Sequence, residues 1–121
     1  MPTLDHVNVC VRDAAAETDW LVGMLGYRPA TPGPEASELG TLFWFEADDG
    51  TQVHLTVDPS HQPSAAAHTA IRLGDVLDAT VTRLEGAGHR CNTIAFDGDR
   101  HVFTNDPAGN LWELIGPVER S

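Results

Sequence analysis

The fold is decided by two stretches of the chain, HVNVCVRDAAAETDWLVGMLGYR (6–28) and HTAIRLGDVLDATVTRLEGAGHR (68–90). Four pairs of landmark residues in these stretches are each separated by 62 positions. The pairs are His6 and His68, Asp13 and Asp75, Gly26 and Gly88, and Arg28 and Arg90. An ungapped match of this kind indicates a duplicated structural unit.

The repeat continues into the second part of each copy. DGTQVHL (49–55) and AGNLWEL (108–114) both contain a turn glycine and, four positions later, an ionisable residue. Gly50 and Gly109 are 59 residues apart, and so are His54 and Glu113. A turn followed by alternating polar and apolar residues predicts a strand with one polar face. His54 and Glu113 are therefore predicted to hold the same position in the two copies.

Each copy has the pattern of a strand, a helix and three further short strands. In the first copy Asp13 is the predicted N-cap of the helix, and Gly26 is its predicted left-handed C-cap. Asp75 and Gly88 are predicted to do the same in the second copy. The further strands are predicted at 27–31, 40–47 and 51–57, and at 90–96, 100–105 and 110–116.

These patterns predict an α+β fold of two tandem βαβββ modules. Module one is predicted over about 3–57 and module two over about 68–116, with a surface linker at about 58–67. We expect a single domain over 1–121, because this length is ordinary for one domain. The helix of each module can cover one face of its four strands, which leaves the other face for function.

The charge balance excludes several classes of function. The formal net charge is −11, and all seven basic residues are arginines. The absence of lysine from the sequence excludes Schiff-base chemistry and a Walker-type phosphate loop. An acidic surface also makes nucleic acids and anionic membranes poor partners.

The remaining composition predicts a globular protein of the cytoplasm. Hydrophobic residues make up 41% of the chain, which is enough for a packed core. No apolar run approaches the roughly 18 residues that cross a bilayer. The segment MPTLDHVNV (1–9) lacks the basic and apolar parts of a secretory signal. Two cysteines are too few for a disulfide framework.

Four ionisable residues fall on the polar faces of the predicted strands. They are His6 and His54 in the first copy, and His68 and Glu113 in the second. If the two sheets curl around a shared cleft, these side chains converge. A lone histidine on a strand is usually a surface or hydrogen-bonded residue, which is how we interpret His61 and His89.

Four motifs give the chain a resemblance to the vicinal oxygen chelate superfamily. This superfamily includes glyoxalase I, extradiol dioxygenases, methylmalonyl-CoA epimerase, and the fosfomycin- and bleomycin-resistance proteins. The motifs are LDHVNVCVRD (4–13), LGYRP (25–29), HTAIRLGD (68–75) and NDPAGNLWELIGP (105–117). The last is the most specific, because family members commonly have an Asp-Pro-x-Gly-Asn turn before a strand that bears a glutamate.

The resemblance implies a metal site and an assembly. Its ligand positions correspond here to His6, His54, His68 and Glu113, and the metal is one divalent transition ion per site: Zn, Ni, Co, Mn or Fe(II). Curved mixed sheets form the metal-binding cleft, which a homodimer completes. The implied function is that of a lyase, an isomerase or epimerase, or a dioxygenase, in which the metal polarises a small substrate with vicinal oxygens. Glu113 is the implied catalytic proton acceptor.

Three further residues are candidates for contacts with the substrate. Arg72 lies on the same predicted strand face as His68, so it can anchor a carboxylate or phosphate, or it can form a salt bridge with a neighbouring acid. His101 and Phe103 lie beside the predicted cleft and are expected to line it. None of these roles follows from the repeat.

The sequence differs from individual members of the superfamily at positions that matter for their reactions, but these differences do not identify a single reaction for this chain. Glyoxalase I usually has a glutamate at the position of His54, and methylmalonyl-CoA epimerase has a glutamine there. Fosfomycin enzymes carry a lysine near their last hairpin, and this chain has no lysine. The alternative is a non-catalytic small-molecule binding protein of the bleomycin-resistance type, which the acidic charge favours and the ligand set opposes.

Overall fold

The computed structural model describes residues 1–35 and 43–118, and the chain divides into two compact units. The units are Met1–His61 and Gln62–Ser121, so the boundary falls inside the predicted linker. Each unit contains one four-stranded mixed sheet, which confirms the prediction of an α+β fold with two modules.

Among the described residues, module one contains four strands and a helix that follows the first of them. The strands are β1 (His6–Val11), β2 (Arg28–Ala30), β3 (Trp44–Glu46) and β4 (Gln52–Val57). The helix α1 (Ala14–Asp19) continues into a π-helical turn, Trp20–Met24. The strand order is β1-β4-β3-β2, in which β1 and β4 are parallel and the other pairs are antiparallel. Residues 40–42 of the predicted strand 40–47 lie outside the described residues.

The ends of α1 follow the predicted signals. The carboxylate of Asp13 accepts hydrogen bonds from the backbone N–H groups of Ala15 and Ala16, which are two of the donors that a helix start leaves unpaired. Gly26 has a φ of +84°, the left-handed conformation that ends a helix. Trp20 and Leu21 are buried.

Module two repeats this arrangement. Its strands are β5 (His68–Arg72), β6 (Asn92–Phe96), β7 (Asp99–Asn105) and β8 (Leu111–Pro117), and its helix is α2 (Leu77–Gly86). The strand order is β5-β8-β7-β6, with β5 parallel to β8 and the remaining pairs antiparallel. This is the order of module one in the equivalent strands.

The prediction that Asp75 caps the second helix is wrong. Asp75 lies inside a 3-10 turn, Gly74–Val76, and α2 begins only at Leu77, without a side-chain cap. Gly74 has a φ of +54°, which changes the direction of the chain before a cap can form. A Cβ atom on Gly116 of β8 would lie 2.8 Å from the Leu77 Cβ atom, so the helix start packs closely on the sheet.

The two faces of each sheet differ in polarity. The buried apolar side chains alternate along the strands and therefore share one face. They are Val9, Val11, Phe45, Val53 and Leu55 in module one, and Val102, Trp112 and Leu114 in module two. The other face carries the polar residues of the same strands, which include all four predicted metal ligands. In the part of the chain that the structure describes, no helix has the length and apolar character needed to cross a membrane.

The two hairpins that precede β4 and β8 have the same backbone. In one, Ala47 N donates to Thr51 O at 2.9 Å, and Gly50 N donates to Ala47 O at 3.0 Å. In the other, Asp106 N donates to Asn110 O and Gly109 N to Asp106 O, both at 2.9 Å. Gly50 and Gly109 have φ values of +88° and +87°, a region that favours glycine. Because the turns match, β4 and β8 begin in the same register relative to their turns.

Candidate metal centre

His54 and Glu113 occupy one position of the duplicated module. In module one His54 pairs with Asn8 across β4 and β1, and in module two Glu113 pairs with Ala70 across β8 and β5. Asn8 and Ala70 are themselves 62 residues apart. The equivalence that the sequence spacing predicts is therefore present in the pairing of the strands.

Glu113 and His68 lie together on the polar face of module two. The Nδ1 atom of His68 is 2.9 Å from the carbonyl oxygen of Ala66, and a carbonyl oxygen can only accept, so Nδ1 carries a proton. The Nε2 atom of the same ring is 3.1 Å from Glu113 Oε1. In neutral His68 this Nε2 atom holds a lone pair, which then faces a carboxylate oxygen. A second proton on the ring, or a cation between the two groups, must offset the repulsion between this lone pair and the carboxylate.

The chemistry of these two side chains fits a shared metal ion. An imidazole nitrogen and a carboxylate oxygen are donors that divalent transition metals accept. Nε2 of His68 and Oε1 of Glu113 are 3.1 Å apart. The Ala66 carbonyl also orients the imidazole through its other nitrogen, as metal-binding histidines generally require. The residues of module two therefore fit a divalent metal.

His101 contacts Glu113 directly. Its Nδ1 atom is 2.6 Å from Glu113 Oε2, the carboxylate oxygen that does not face His68. His101 is only 7% exposed, and the ring of Phe96 stacks on it with centroids 3.8 Å apart. Phe103 is half-buried and meets the His68 ring edge-on at 6.0 Å. The sequence places His101 and Phe103 beside the site but gives no sign of the contact with Glu113.

The imidazole of His6 has one nitrogen engaged. Its Nδ1 atom donates to the Asp5 carboxylate at 2.7 Å, which leaves the lone pair on Nε2. A histidine held by a carboxylate through Nδ1 is a common arrangement in metal sites, because it fixes the tautomer and the ring orientation. Asp5 was not among the sequence candidates, although its position directly before His6 is visible in the sequence.

The imidazole of His54 is enclosed on both faces. It stacks on His6 at 4.0 Å and on Trp44 at 4.2 Å, measured between ring centroids. Its Nε2 atom lies 2.8 Å from Gln52 Oε1, and the Gln52 amide donates to Glu46 at 3.1 Å. Because the Gln52 oxygen can only accept, Nε2 of His54 carries the proton and Nδ1 the lone pair.

Burial affects the charge of His54. His54 is 8% exposed, and this burial is the largest cause that lowers its pKa. Repulsion from the His6 ring, when that ring is protonated, lowers the pKa further, and the negative charge of Asp5 partly opposes both effects. The net shift favours the neutral ring, which is the form that binds metals.

Arg72 lies next to an acidic residue. Its Nη1 atom is 3.3 Å from Asp99 Oδ2, in a pair whose side chains are 73% and 33% exposed. This contact is the salt bridge that the sequence allows as one of two interpretations. An exposed guanidinium in such a pair keeps free donors, so its use as an anion anchor stays a prediction.

The predicted ligands form one pair in each module. His6 and His54 stack together in module one, and His68 and Glu113 are in contact in module two. Within residues 1–35 and 43–118, no three His, Cys, Asp or Glu side chains have the arrangement of a complete metal site. Each module on its own therefore offers a partial donor set.

Solved structures with this fold come from several bacteria. A glyoxalase/dioxygenase from Nostoc punctiforme has 22% sequence identity and a TM-score of 0.82, and the alignment covers 97% of this chain and 92% of that one. A glyoxalase family protein from Bacillus anthracis has 21% identity and a TM-score of 0.78, with 97% and 96% covered.

A third solved structure is a variant of the fosfomycin resistance protein FosX from Listeria monocytogenes, complexed with Mn(II) and 1S,2S-dihydroxypropylphosphonic acid. It has 17% identity and a TM-score of 0.78, with 98% and 94% of the two chains covered. No curated protein matches the sequence. Residues 3–114 match the family described as Glyoxalase/Bleomycin resistance protein/Dioxygenase superfamily. The chain therefore belongs to the glyoxalase, bleomycin resistance and dioxygenase superfamily.

Proposed function

We propose that the protein is a metal-dependent enzyme that acts on a small substrate with vicinal oxygens. The observation that carries the proposal is the His68–Glu113 pair. Its facing atoms are 3.1 Å apart, and in neutral His68 the proton on Nδ1 leaves a lone pair turned toward the carboxylate. A divalent transition metal satisfies both donors, which a neutral imidazole and a carboxylate facing each other do not satisfy alone.

The proposed ligands are His6, His54, His68 and Glu113. A bound metal supplies Lewis-acid polarisation of a substrate oxygen. Asp5 orients the His6 ring, and the enclosure of His54 keeps that ring neutral, so each supports a donor role. His54 is the weakest of the four, because its Nε2 atom already donates to Gln52.

Glu113 is the proposed proton acceptor. It is the single carboxylate of the proposed ligand set. Its Oε1 atom faces His68 Nε2, and its Oε2 atom accepts a hydrogen bond from His101. If substrate displaces Oε1 from the metal, a proton taken from a carbon next to a polarised carbonyl would go to that oxygen. This step is shared by isomerases, epimerases and lyases, so Glu113 supports that group of reactions as a whole.

The relatives support a small ligand and a divalent ion. FosX was solved with Mn(II) and a phosphonate that bears hydroxyls on neighbouring carbons. For this chain we propose only two of these features, a divalent metal and a substrate with vicinal oxygens. We also propose a homodimer, which the resemblance implies, and a cytoplasmic location, which rests on the sequence composition.

The proposal is tested by loading the chelator-treated chain with Zn, Ni, Co, Mn and Fe(II) in turn. Isothermal titration calorimetry is expected to give about one tightly bound ion per chain with at least one of them. His68→Ala and Glu113→Gln are expected to lose most of the affinity, and His54→Ala less. The matched control is His89→Ala, whose histidine lies outside both donor pairs. If no ion binds the wild-type chain stoichiometrically, the enzyme proposal fails.

The second candidate is a binding protein that sequesters a cationic drug. The formal net charge of −11 favours it, because a strongly acidic protein attracts cations. A sequestering protein would bind bleomycin equally well with and without metal, and Glu113→Gln would not abolish that binding. Metal-independent micromolar binding of the drug, together with no metal uptake, would replace the first proposal with this one.

A further inference from the structure

We infer that His101 is a positioning residue that fixes the orientation of the Glu113 carboxylate. The inference rests on the proposed function, in which Glu113 binds the metal and accepts the proton. It gives His101 a task other than lining the substrate cleft, and it assigns the two oxygens of Glu113 to different partners.

The hydrogen bond between the two residues has a definite direction. Glu113 Oε2 is an acceptor, so the Nδ1 atom of His101 donates to it across 2.6 Å. Bonds from a ring N–H to a carboxylate are shorter and stronger than bonds between neutral groups, and this distance lies just below their usual range of about 2.7–2.9 Å. His101 therefore holds one oxygen of Glu113 in place.

The imidazole itself is buried and packed against an aromatic ring. His101 is 7% exposed, and the Phe96 ring covers one face at a centroid distance of 3.8 Å and an interplanar angle of 6°. In the pairing of β7 with its neighbours, His101 lies opposite Ile94 on one side and Ile115 on the other. A donor packed in this way loses little further freedom when its acceptor binds a metal.

The consequence is that Glu113 presents a single oxygen. With Oε2 engaged by His101, only Oε1 faces His68 Nε2 at 3.1 Å. A carboxylate that is free to rotate can offer both oxygens to a metal. One whose Oε2 accepts from His101 would turn Oε1, the oxygen that faces His68, toward a metal.

Module one holds its equivalent residue differently, which makes the contact specific to Glu113. His54 occupies the same position as Glu113, but Gln52, two residues earlier on the same strand, engages it at 2.8 Å. The support for Glu113 comes from the neighbouring strand β7. The contact with His101 is therefore not a by-product of the repeated fold.

The test compares two substitutions at the same position. His101→Asn keeps a donor close to the place of Nδ1, whereas His101→Leu keeps bulk and removes the donor. Titration of the full chain with Mn(II) is expected to show a roughly 10–100-fold loss of affinity for His101→Leu. His101→Asn should recover most of that loss. His89→Leu is the control and should bind as wild type does.

A second measurement does not depend on metal. In the metal-free wild-type chain, ¹⁵N NMR should show the His101 Nδ1 proton in a strong hydrogen bond, and Glu113→Ala should abolish that signal. If neither the wild type nor any variant binds Mn(II), the proposed function fails, but this signal still decides the contact.

Three outcomes would overturn the inference. They are wild-type affinity in a folded His101→Leu variant, an equal loss in His101→Asn and His101→Leu, and a His101 Nδ1 signal that Glu113→Ala leaves unchanged. If His101→Leu does not fold by circular dichroism, the Asn variant and the NMR signal decide.

Discussion

Trp44 and His54 lie face to face, with ring centroids 4.2 Å apart and ring planes inclined by 2°. The two residues pair directly across β3 and β4, so the strand register sets their contact. The indole covers the face of the imidazole opposite His6, and together the three rings form a continuous stack. The stack keeps water from His54, and water is what would stabilise the charged form of the ring.

Removal of the Trp44 indole should raise the pKa of His54. Burial is the largest cause that lowers this pKa from its ordinary value of 6.5, so Trp44→Ala should bring it back toward 6.5. Trp44→Phe should retain most of the cover and leave the pKa low. The imidazole proton resonances of the metal-free chain give the titration curves. Identical curves for the Ala variant and the wild type would show that the stack does not control the charge of His54.

The sign of the effect on stability follows from the same shift. As the pH falls below about 6.5, the unfolded chain takes up a proton that folded His54 resists. The free energy of unfolding should therefore decrease with falling pH in the wild type, and this contribution is fully present only above that value. The free energy of unfolding should therefore change less steeply with pH in Trp44→Ala than in Trp44→Phe.

Tyr27 should ionise at a higher pH than an exposed tyrosine. Burial raises the pKa of this phenol above its ordinary value of 10.0, and the negative charge of Asp49 raises it further. The chain contains one tyrosine, so the alkaline absorbance change near 295 nm reports this group alone. Asp49→Asn should lower the midpoint partway, because burial remains. A wild-type midpoint at or below 10 would contradict the prediction.

Asp106 should be essential to the stability of module two. It is 4% exposed and accepts four hydrogen bonds, two from backbone N–H groups and two from side chains. The donors are Ala108 N, Asn110 N, Asn110 Nδ2 and Trp112 Nε1. Asp106→Ala removes the acceptor of all four bonds and should lower the free energy of unfolding in urea by about 3 kcal/mol or more.

The control for Asp106 lies in the same turn. Asn105 is exposed and makes a single side-chain bond to the Gly109 carbonyl at 3.1 Å. Asn105→Ala should cost about 1 kcal/mol or less. Equal losses for the two variants would mean that the turn, and not the Asp106 carboxylate, carries the stability.

Substitutions of Arg72 and Asp99 should distinguish the two possible roles of Arg72, the anchor for an anionic substrate and the salt bridge. Their exposed contact of 3.3 Å should contribute at most about 1 kcal/mol, so Arg72→Gln should fold and bind metal normally. If Arg72 anchors an anionic substrate, Arg72→Gln should raise KM. Asp99→Asn, which releases the guanidinium, should lower KM or leave it unchanged. Unchanged KM in both variants would assign Arg72 to the salt bridge alone.

Sequence spacing predicted the parts of the site that depend on the repeat. Gly50 and Gly109 set identical turns, and a fixed turn determines which side chains of the next strand share a face. The positions of His54 and Glu113 follow from that register. The prediction for Asp13 was correct for a similar reason, since a helix start depends on a few adjacent residues.

Other features depend on contacts that spacing does not encode. Glu113 pairs with Phe103, while His101 pairs with Ile115, so the bond between Glu113 and His101 runs diagonally between strands. Alternation gives the face of each residue but not the rotamer that makes a diagonal contact. The failure at Asp75 has a local cause, because Gly74 introduces a left-handed residue that has no counterpart at Arg12.

The shared register of His54 and Glu113 has an evolutionary consequence. The strand pairing of each module is set by a turn glycine four residues earlier, and the ionisable side chain takes no part in it. A substitution at either position can therefore exchange a base for an acid without disturbing the sheet. After duplication, the two copies could keep one inherited scaffold while their chemistry diverged separately.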